Sequence, residues 1–338
     1  MARTDDLSAW RAFVTFARSG TLTAAAGVLE TEVSSLSRAI TGLEKTLGCE
    51  LIRHNTRPLQ LTDAGRTALK RMETILRAHD SLMETLQNDN RALTGRVRLS
   101  TAQGFATRRL MPVIRRFCDE HPGMSIDIMT GIREADVAKG ICDVAVLTGE
   151  PTLPGLVYMS RGRNVYLPVA SPDYIRQFGL PVTPENLRSH KGYIYCGPVR
   201  GETKELTRGN RTEPVQFGTS VRSTDILAVR EAVLAGMGVA VDMPLVQIYE
   251  DLLDGRLVPI LPGWSLPPIE CFVVTNRDAW HMRRVRVFFE WFAKTMQGLF
   301  SDYEAAVSTI VGLPPERPGV DRASVFMTES GRRRGALN

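Results

Sequence analysis

The chain has 338 residues, 43% apolar and 23% charged, which is enough apolar side chain for two or three buried cores and excludes disorder as the default reading. A net charge of +5 permits an anionic partner without demonstrating one, and five scattered cysteines (Cys49, Cys118, Cys142, Cys196, Cys271) lack the spacing of a zinc site or disulfide framework. Residues 1–10 carry two aspartates and no apolar core, and no run of about 18 apolar residues occurs, so neither a signal peptide nor a membrane span is expected and the cytoplasm fits best.

In chain order, Leu7, Trp10, Phe13, Val14 and Ala17 recur at helical spacing until Ser19-Gly20, which predicts an amphipathic helix over 6–18. Thr23 is expected to N-cap a short alanine-rich helix ending near Leu29. A third helix buries Leu36, Ile40, Leu43 and Leu47 along one stripe and stops at Gly48; Ser34, Ser35, Arg38, Thr41 and Lys45 occupy its other face. Two short helices joined by a tight turn, the second with a hydroxyl-rich basic face, are the arrangement that puts a recognition helix into the major groove. For an isolated pair, plain solvation explains the same face equally well. Residues 50–53 and 59–61 then read as strands around the polar tip His54-Asn55-Thr56-Arg57-Pro58, a wing that would bring Arg53, His54 and Arg57 to phosphates or a minor groove. Between Ser35 and Arg71 seven Lys/Arg stand against three Asp/Glu, so the mild overall charge is concentrated there.

Thr21-Leu22-Thr23 with Ala25-Ala26 and Leu29, then Leu36-Ser37-Arg38-Ala39-Ile40, Leu43-Glu44, Leu47-Gly48, Leu51-Ile52-Arg53, Arg57-Pro58 and Leu61-Thr62-Asp63-Ala64-Gly65 resemble the N-terminal signature of LysR-type transcriptional regulators. The resemblance implies DNA contacts from Thr23, Val33, Ser34, Ser35, Ser37, Arg38, Arg53, Arg57 and Pro58. Where the family usually has Gln in the first turn of its recognition helix this chain has Val33, preceded by Glu32, and valine can meet only something apolar such as a thymine methyl.

From Thr62, a candidate N-cap, a helical pattern runs to about Asn90. Leu69, Met72, Leu76, His79, Met83 and Leu86 alternate steps of three and four, a seam of the kind that pairs helices, and dimerisation is expected there over packing against the chain's own body.

Beyond residue 95 strands and helices alternate: strands at 95–100, Ile126 with Ile128, 144–147, 165–170, 193–195, 239–241, 257–261 and 270–275, with late helices including one over 283–296. Alternation argues α/β architecture with a parallel doubly wound sheet. Two sheets joined by crossings near 164–168 and 264–269 resemble the two-lobed, type II periplasmic-binding-protein-like effector domain of the same regulators. The expected division is 1–62 winged helix-turn-helix, 63–94 linker helix, 95–300 effector domain (lobe I 95–163 and 268–300, lobe II 164–267) and 301–338 a loosely ordered basic tail.

Ligands of open α/β sheets sit beyond strand carboxyl ends and in interlobe clefts. That selects Thr101, Ala102, Gln103, Gly104, Thr130, Gly131, Thr148, Cys196, Arg222, Ser223 and Thr224, with residues 222–225 read as a helix start suited to a carboxylate. Asp225 competes for the same amides, so a neutral or aromatic effector stays open. A peroxide-sensing branch of the family uses a cysteine pair near Cys196, but the next cysteine is Cys271 and a structural thiol is the better reading. Gly236-x-Gly238 follows a helix and lacks a third glycine, so no dinucleotide loop is expected; no catalytic constellation, metal spacing or cofactor motif stands out. A solute-binding protein or an enzyme are the remaining readings. The expected partners are double-stranded promoter DNA, a small-molecule effector, a second copy in a homodimer or homotetramer, and RNA polymerase, with no membrane.

Overall fold

The computed structural model describes residues 7–53, 56, 59–86, 92–131, 133–312, 324–329 and 332–334, and the chain divides into compact units over 1–89 and 90–338. In the first unit α1 (Leu7–Ser19), α2 (Leu22–Val28) and α3 (Val33–Leu47) pack around Phe13, Phe16, Ala25, Leu36, Ile40 and Leu43, all buried. The cap of α2 is Thr21, whose hydroxyl accepts from the Ala24 amide at 3.2 Å; Thr23, predicted as the cap, lies exposed within the first turn. Gly48 ends α3 at φ +68°, and Glu44 at the base of that helix is buried, accepting the Leu51 and Ile52 amides at 2.7 and 2.9 Å. Those two bonds fix the exit into β1 (Ile52–Arg53), which pairs antiparallel with β2 (Gln60–Leu61). Of the wing tip, His54, Asn55, Arg57 and Pro58 lie outside the described residues.

Helix α4 (Asp63–Leu86) corrects the seam read from the sequence. Met72 and Leu76 are buried in the same core as Phe13 and Leu36, with Leu69 partly buried against it, so these positions hold the helix to its own unit. Arg11 of α1 fastens the same face to Asp80 at 2.5 Å, and Arg18 reaches Glu73 at 2.9 Å. The outward apolar positions are Ile75 (49% exposed), Leu82 (55%) and Met83 (40%); His79 is half-buried, and the Leu86 side chain is outside the described set. The sequence pattern identified an apolar face correctly but could not say which body it packs against, because one helix with apolar residues on two adjacent stripes satisfies both readings.

In the second unit a seven-stranded sheet is built on β3 (Thr94–Thr101), β4 (Gly123–Thr130) and β5 (Val144–Thr148), which run parallel. After β3 the chain turns through α5 (Gln103–Phe105) and a π turn (Ala106–Leu110) into α6 (Met111–Glu120), and α7 (Glu134–Ala138) precedes β5. Next comes β6 (Leu156–Asn164), from which the chain crosses to β7 (Tyr166–Ala170) of a second sheet. That sheet has the order β11-β8-β12-β7-β13 and contains β8 (Lys191–Tyr195), β11 (Thr219–Ser223), β12 (Val239–Pro244) and β13 (Val258–Pro259). It carries α8 (Pro172–Phe178), a 3₁₀ turn (Pro184–Ser189), a hairpin of β9 (Glu205–Arg208) and β10 (Arg211–Pro214), α9 (Ile226–Leu234) and α10 (Leu245–Leu253). The return strand β14 (Ile269–Asn276) inserts between β5 and β6, antiparallel to both. The first sheet is therefore mixed rather than wholly parallel, because the chain must re-enter it from the other lobe.

After α11 (Arg277–Trp280), α12 (Arg283–Val311) runs fifteen residues past the predicted end at Met296, since Phe300, Tyr303 and Val307 continue its buried stripe. Its Tyr303 stacks on Tyr249 of α10 at 4.0 Å, beside Arg109, which pairs with Glu250 at 2.8 Å. The hydrogen bond from Arg109 holds the Glu250 carboxyl down to about 2. The tail also departs from expectation: β15 (Phe326–Glu329) pairs with β6 and with β16 (Arg332–Arg334). Phe326 stacks on Tyr158 at 5.6 Å, and the buried Thr328 hydroxyl accepts from the Leu156 amide at 2.9 Å, so these residues cap an otherwise open sheet edge. No apolar periodicity announces this, because a four-residue strand paired at an edge needs few buried side chains.

Candidate functional site

Two surfaces collect the predicted functional residues. On the first unit, burial of Leu36, Ile40 and Leu43 forces the opposite face of α3 outward. Val33 (41% exposed), Ser34 and Arg38 are exposed there, and Ser35 and Ser37 are half-buried. Arg38 folds back along the helix, donating from Nε to the Ser34 carbonyl at 3.2 Å and from Nη2 to Ser35 Oγ at 3.3 Å. The N-cap Glu32 makes no side-chain bond to the helix amides; its carboxylate accepts from Ser34 Oγ at 3.2 Å instead. Thr23 and Arg53 are also exposed. A protruding helix whose outer face carries hydroxyls and an arginine can present donors to phosphates and base edges.

The second surface is a cavity of about 410 Å³ in the second unit, between the strand ends of the two sheets. Thr101, Ala102, Gln103 and Gly104 after β3, Thr130 and Gly131 after β4, Thr148 after β5, and Thr224 line it. Three predicted residues do not. Arg222 lies on β11, not at a helix start; its guanidinium, 55% exposed, pairs with Glu202 at 3.1 Å. Ser223 ends that strand, and its hydroxyl accepts from the Asp225 amide at 3.0 Å. Cys196 is half-buried, its amide donating to the Ser223 carbonyl at 2.9 Å, and all five cysteines are free thiols. The helix begins at Ile226, and Asp225 caps it by accepting from the Leu227 amide at 2.9 Å, so a carboxylate already occupies the place an anionic ligand would take at this helix start.

One cation of the cavity wall, Arg161, was not among the residues expected from the sequence. Between β6 and β14 the register steps from Gly162 opposite Cys271 to Ser160 opposite Phe272, so Arg161 is the extra residue of a β-bulge, with Gly162 beside it at φ +97°. The bulge re-aims Arg161 into the cavity wall, where it is 6% exposed. Its guanidinium carbon sits 3.9 Å from the Phe300 ring centroid and Nη2 donates to Asn164 Oδ1 at 2.9 Å, while Nη1 has no hydrogen-bond partner among the described residues. Gln247 of α10, 3% exposed, also lines the cavity, and its Oε1 likewise lacks a partner. Arg200 is different: it pairs with buried Asp242 at 2.6 Å and lies 4.8 Å from the Tyr166 ring. Burial pushes the phenols of Tyr166 and Tyr195, both in the wall, above their ordinary value, which keeps them neutral hydrogen-bonding groups. The available signal was the apolar run Leu156-Val157-Tyr158-Met159, a buried strand whose Arg161-Gly162-Arg163 end looks like a loop.

Among the described residues no group of three or more His, Cys, Asp or Glu is placed to hold a metal ion, and no helix is long and apolar enough to cross a membrane.

Residues 7–66 match the family model described as a bacterial regulatory helix-turn-helix protein of the lysR family, and residues 90–297 match the LysR substrate binding domain. The chain is 28% identical over 296 residues to the uncharacterised HTH-type transcriptional regulator YhjC of Escherichia coli K12, covering 87% of this chain and 98% of that one. It is also 28% identical over 261 residues to the HTH-type transcriptional activator AaeR of the same strain, covering 77% and 84%. Among solved structures, the full-length Vibrio cholerae virulence activator AphB superposes with a TM-score of 0.53 at 26% identity, covering 85% of this chain and 98% of that one.

Gly104 sets the cavity's floor. A Cβ there would lie 2.5 Å from Ile226 Cγ2 and 3.1 Å from Gln247 Nε2, so a side chain would displace these two side chains of α9 and α10. Gly104→Val is expected to lower stability by about 1–3 kcal/mol, read as a lower urea midpoint of unfolding; an unchanged midpoint would mean that Ile226 yields at no cost.

Proposed function

Because the chain belongs to the LysR family of bacterial transcriptional regulators, a DNA-binding helix-turn-helix followed by an effector-binding domain, we propose that it is a cytoplasmic regulator. In this reading α3 reads promoter DNA and a small molecule in the interlobe cavity controls the response. The observation that carries it is the division of α3 into a fully buried apolar stripe and an outer face bearing Val33, Ser34 and Arg38. Ser34, Arg38 and Val33 would meet base edges, while Thr23, Ser35, Ser37 and Arg53, with Arg57 and Pro58 of the wing tip, would set register through phosphates or the minor groove. Valine in the first turn favours a thymine methyl over a hydrogen-bonded base. Occupancy of the cavity would favour one subunit arrangement over another, altering DNA bending or contact with RNA polymerase. Catalysis has no support from the cavity, whose Asp225, Glu134 and Arg200 are each engaged in structural bonds.

The outward apolar stripe of α4 offers a surface for self-association. Ile75 and Leu82 are seven residues apart on one face, the spacing of a helix pair. We propose that a second copy covers this stripe and that homodimers, or tetramers built from them, grip a partly symmetric site.

Substituting Arg38→Ala is expected to weaken promoter binding by about 1–3 kcal/mol if the arginine reads a base, measured by mobility shift; equal affinity would remove Arg38 from the interface. Leu82→Asp is expected to reduce the mass measured by light scattering to that of a single chain while the fold persists, because each copy would otherwise bury a carboxylate. A native mass in Leu82→Asp would place the interface elsewhere.

A further inference from the structure

Three cationic side chains line the cavity, and two of them have an anionic partner. Arg200 is held by Asp242 at 2.6 Å, and Arg133 lies 3.6 Å from Asp136 with most of its surface in solvent. The cavity's carboxylates are engaged as well: Glu134 accepts the Thr152 and Leu153 amides at 2.6 and 2.5 Å, Glu150 accepts the Tyr158 hydroxyl at 2.8 Å, and Asp225 caps α9. Arg161 is buried to the same degree as Arg163 and Arg230, its neighbours in kind. Arg163 pairs with Glu304 at 2.6 Å and Arg230 with Asp251 at 2.5 Å, whereas Arg161, in the cavity wall, forms no ion pair among the described residues and has its buried Nη1 without an acceptor. One positive charge is thus left over in the wall of a largely apolar cleft. An unpaired acceptor, Gln247 Oε1, stands on the wall contributed by α10.

We infer that the cavity takes a small organic monoanion, a monocarboxylate with a compact apolar body and one hydrogen-bond donor: the carboxylate pairs with Arg161 Nη1 and the donor meets Gln247 Oε1. The inference rests on the effector reading above and adds the ligand's class. A dicarboxylate leaves one charge without a partner, and a neutral ligand leaves the guanidinium uncompensated. The size follows from a volume near 410 Å³, and the apolar body from Phe105, Val146, Tyr166, Tyr195, Val246 and Phe300 in the wall.

The test uses the full-length chain and calorimetric titration with lactate, mandelate and phenylacetate, each beside its neutral amide. At least one acid is expected to bind wild type saturably and at least about ten-fold more tightly than its amide. Arg161→Gln is expected to lose at least about ten-fold for that acid, Arg161→Lys to keep the preference for acid over amide, and Arg222→Ala to match wild type. Without ligand, Arg161→Gln is expected to melt no lower than wild type, since it removes a buried charge that has no counter-ion; a purely structural arginine would lower that midpoint. Mandelate is expected to outbind phenylacetate, and Gln247→Leu to abolish that difference. The inference is overturned if no acid binds, if an amide binds as well as its acid, or if Arg161→Gln binds the acid as wild type does. Amide binding that weakens in Gln247→Leu or Thr101→Val would retain the cavity as an effector site for neutral ligands and discard only the anion. Binding that no cavity substitution alters would discard the effector reading as well.

Discussion

One guanidinium of the second unit, that of Arg161, is buried without a counter-charge among the described residues. Taking an ion out of water costs on the order of several kcal/mol, and a cation–π contact returns about 2 kcal/mol at best when desolvated. Phe300 and Asn164 therefore offset only part of the cost at Arg161. The molecule tolerates the remainder at one position and removes it at the others, where Arg163, Arg200 and Arg230 each have a carboxylate. The exception falls at the bulge near the end of β6, before the chain crosses from one sheet to the other and beside the return strand β14. A ligand held there, as proposed, would bear on the segment where the chain leaves the first sheet for the second.

The helix-turn-helix unit depends on a different constraint. Leu36, Ile40 and Leu43 leave α3 one rotational setting, and that setting determines which side chains face outward. Glu44 completes the arrangement from within, tying the base of α3 to the start of the wing. Helix α4 is not an independent spacer: Met72 and Leu76 share the core with α1, and Arg11–Asp80 and Arg18–Glu73 fasten the two helices. Its only outward apolar positions among the described residues are Ile75, Leu82 and Met83.

Much of this was legible in the sequence wherever a repeating pattern met one body. The three helices, their turn and the ordered run of matching residues gave the family, and strand ends gave Thr101, Thr130 and Thr148 at the cavity. What escaped was set by tertiary context. In the α4 seam Met72 and Leu76 pack into their own unit while Met83 stays outward, because residues on neighbouring stripes are both apolar and only packing separates them. Arg222 was chosen because Ser223-Thr224-Asp225 resembles a helix start; it sits instead on a strand and is exposed, with Asp225 as the cap. Arg161 was overlooked because a bulge has no sequence period: Arg-Gly-Arg after an apolar run looks like a strand ending, and only the pairing with β14 shows that the strand continues. The edge strand β15 was missed for a related reason, since its order comes from the partner strand and not from its own composition.

The proposed control of DNA recognition runs from the interlobe cavity through the charge at Arg161. It is tested most directly by quantitative footprinting of the full-length protein on its promoter, with and without a monocarboxylate that binds the wild-type cavity. The predicted result is that the acid shifts the protected boundary or its half-saturation in wild type and leaves Arg161→Gln unchanged. An identical shift in both proteins would contradict it.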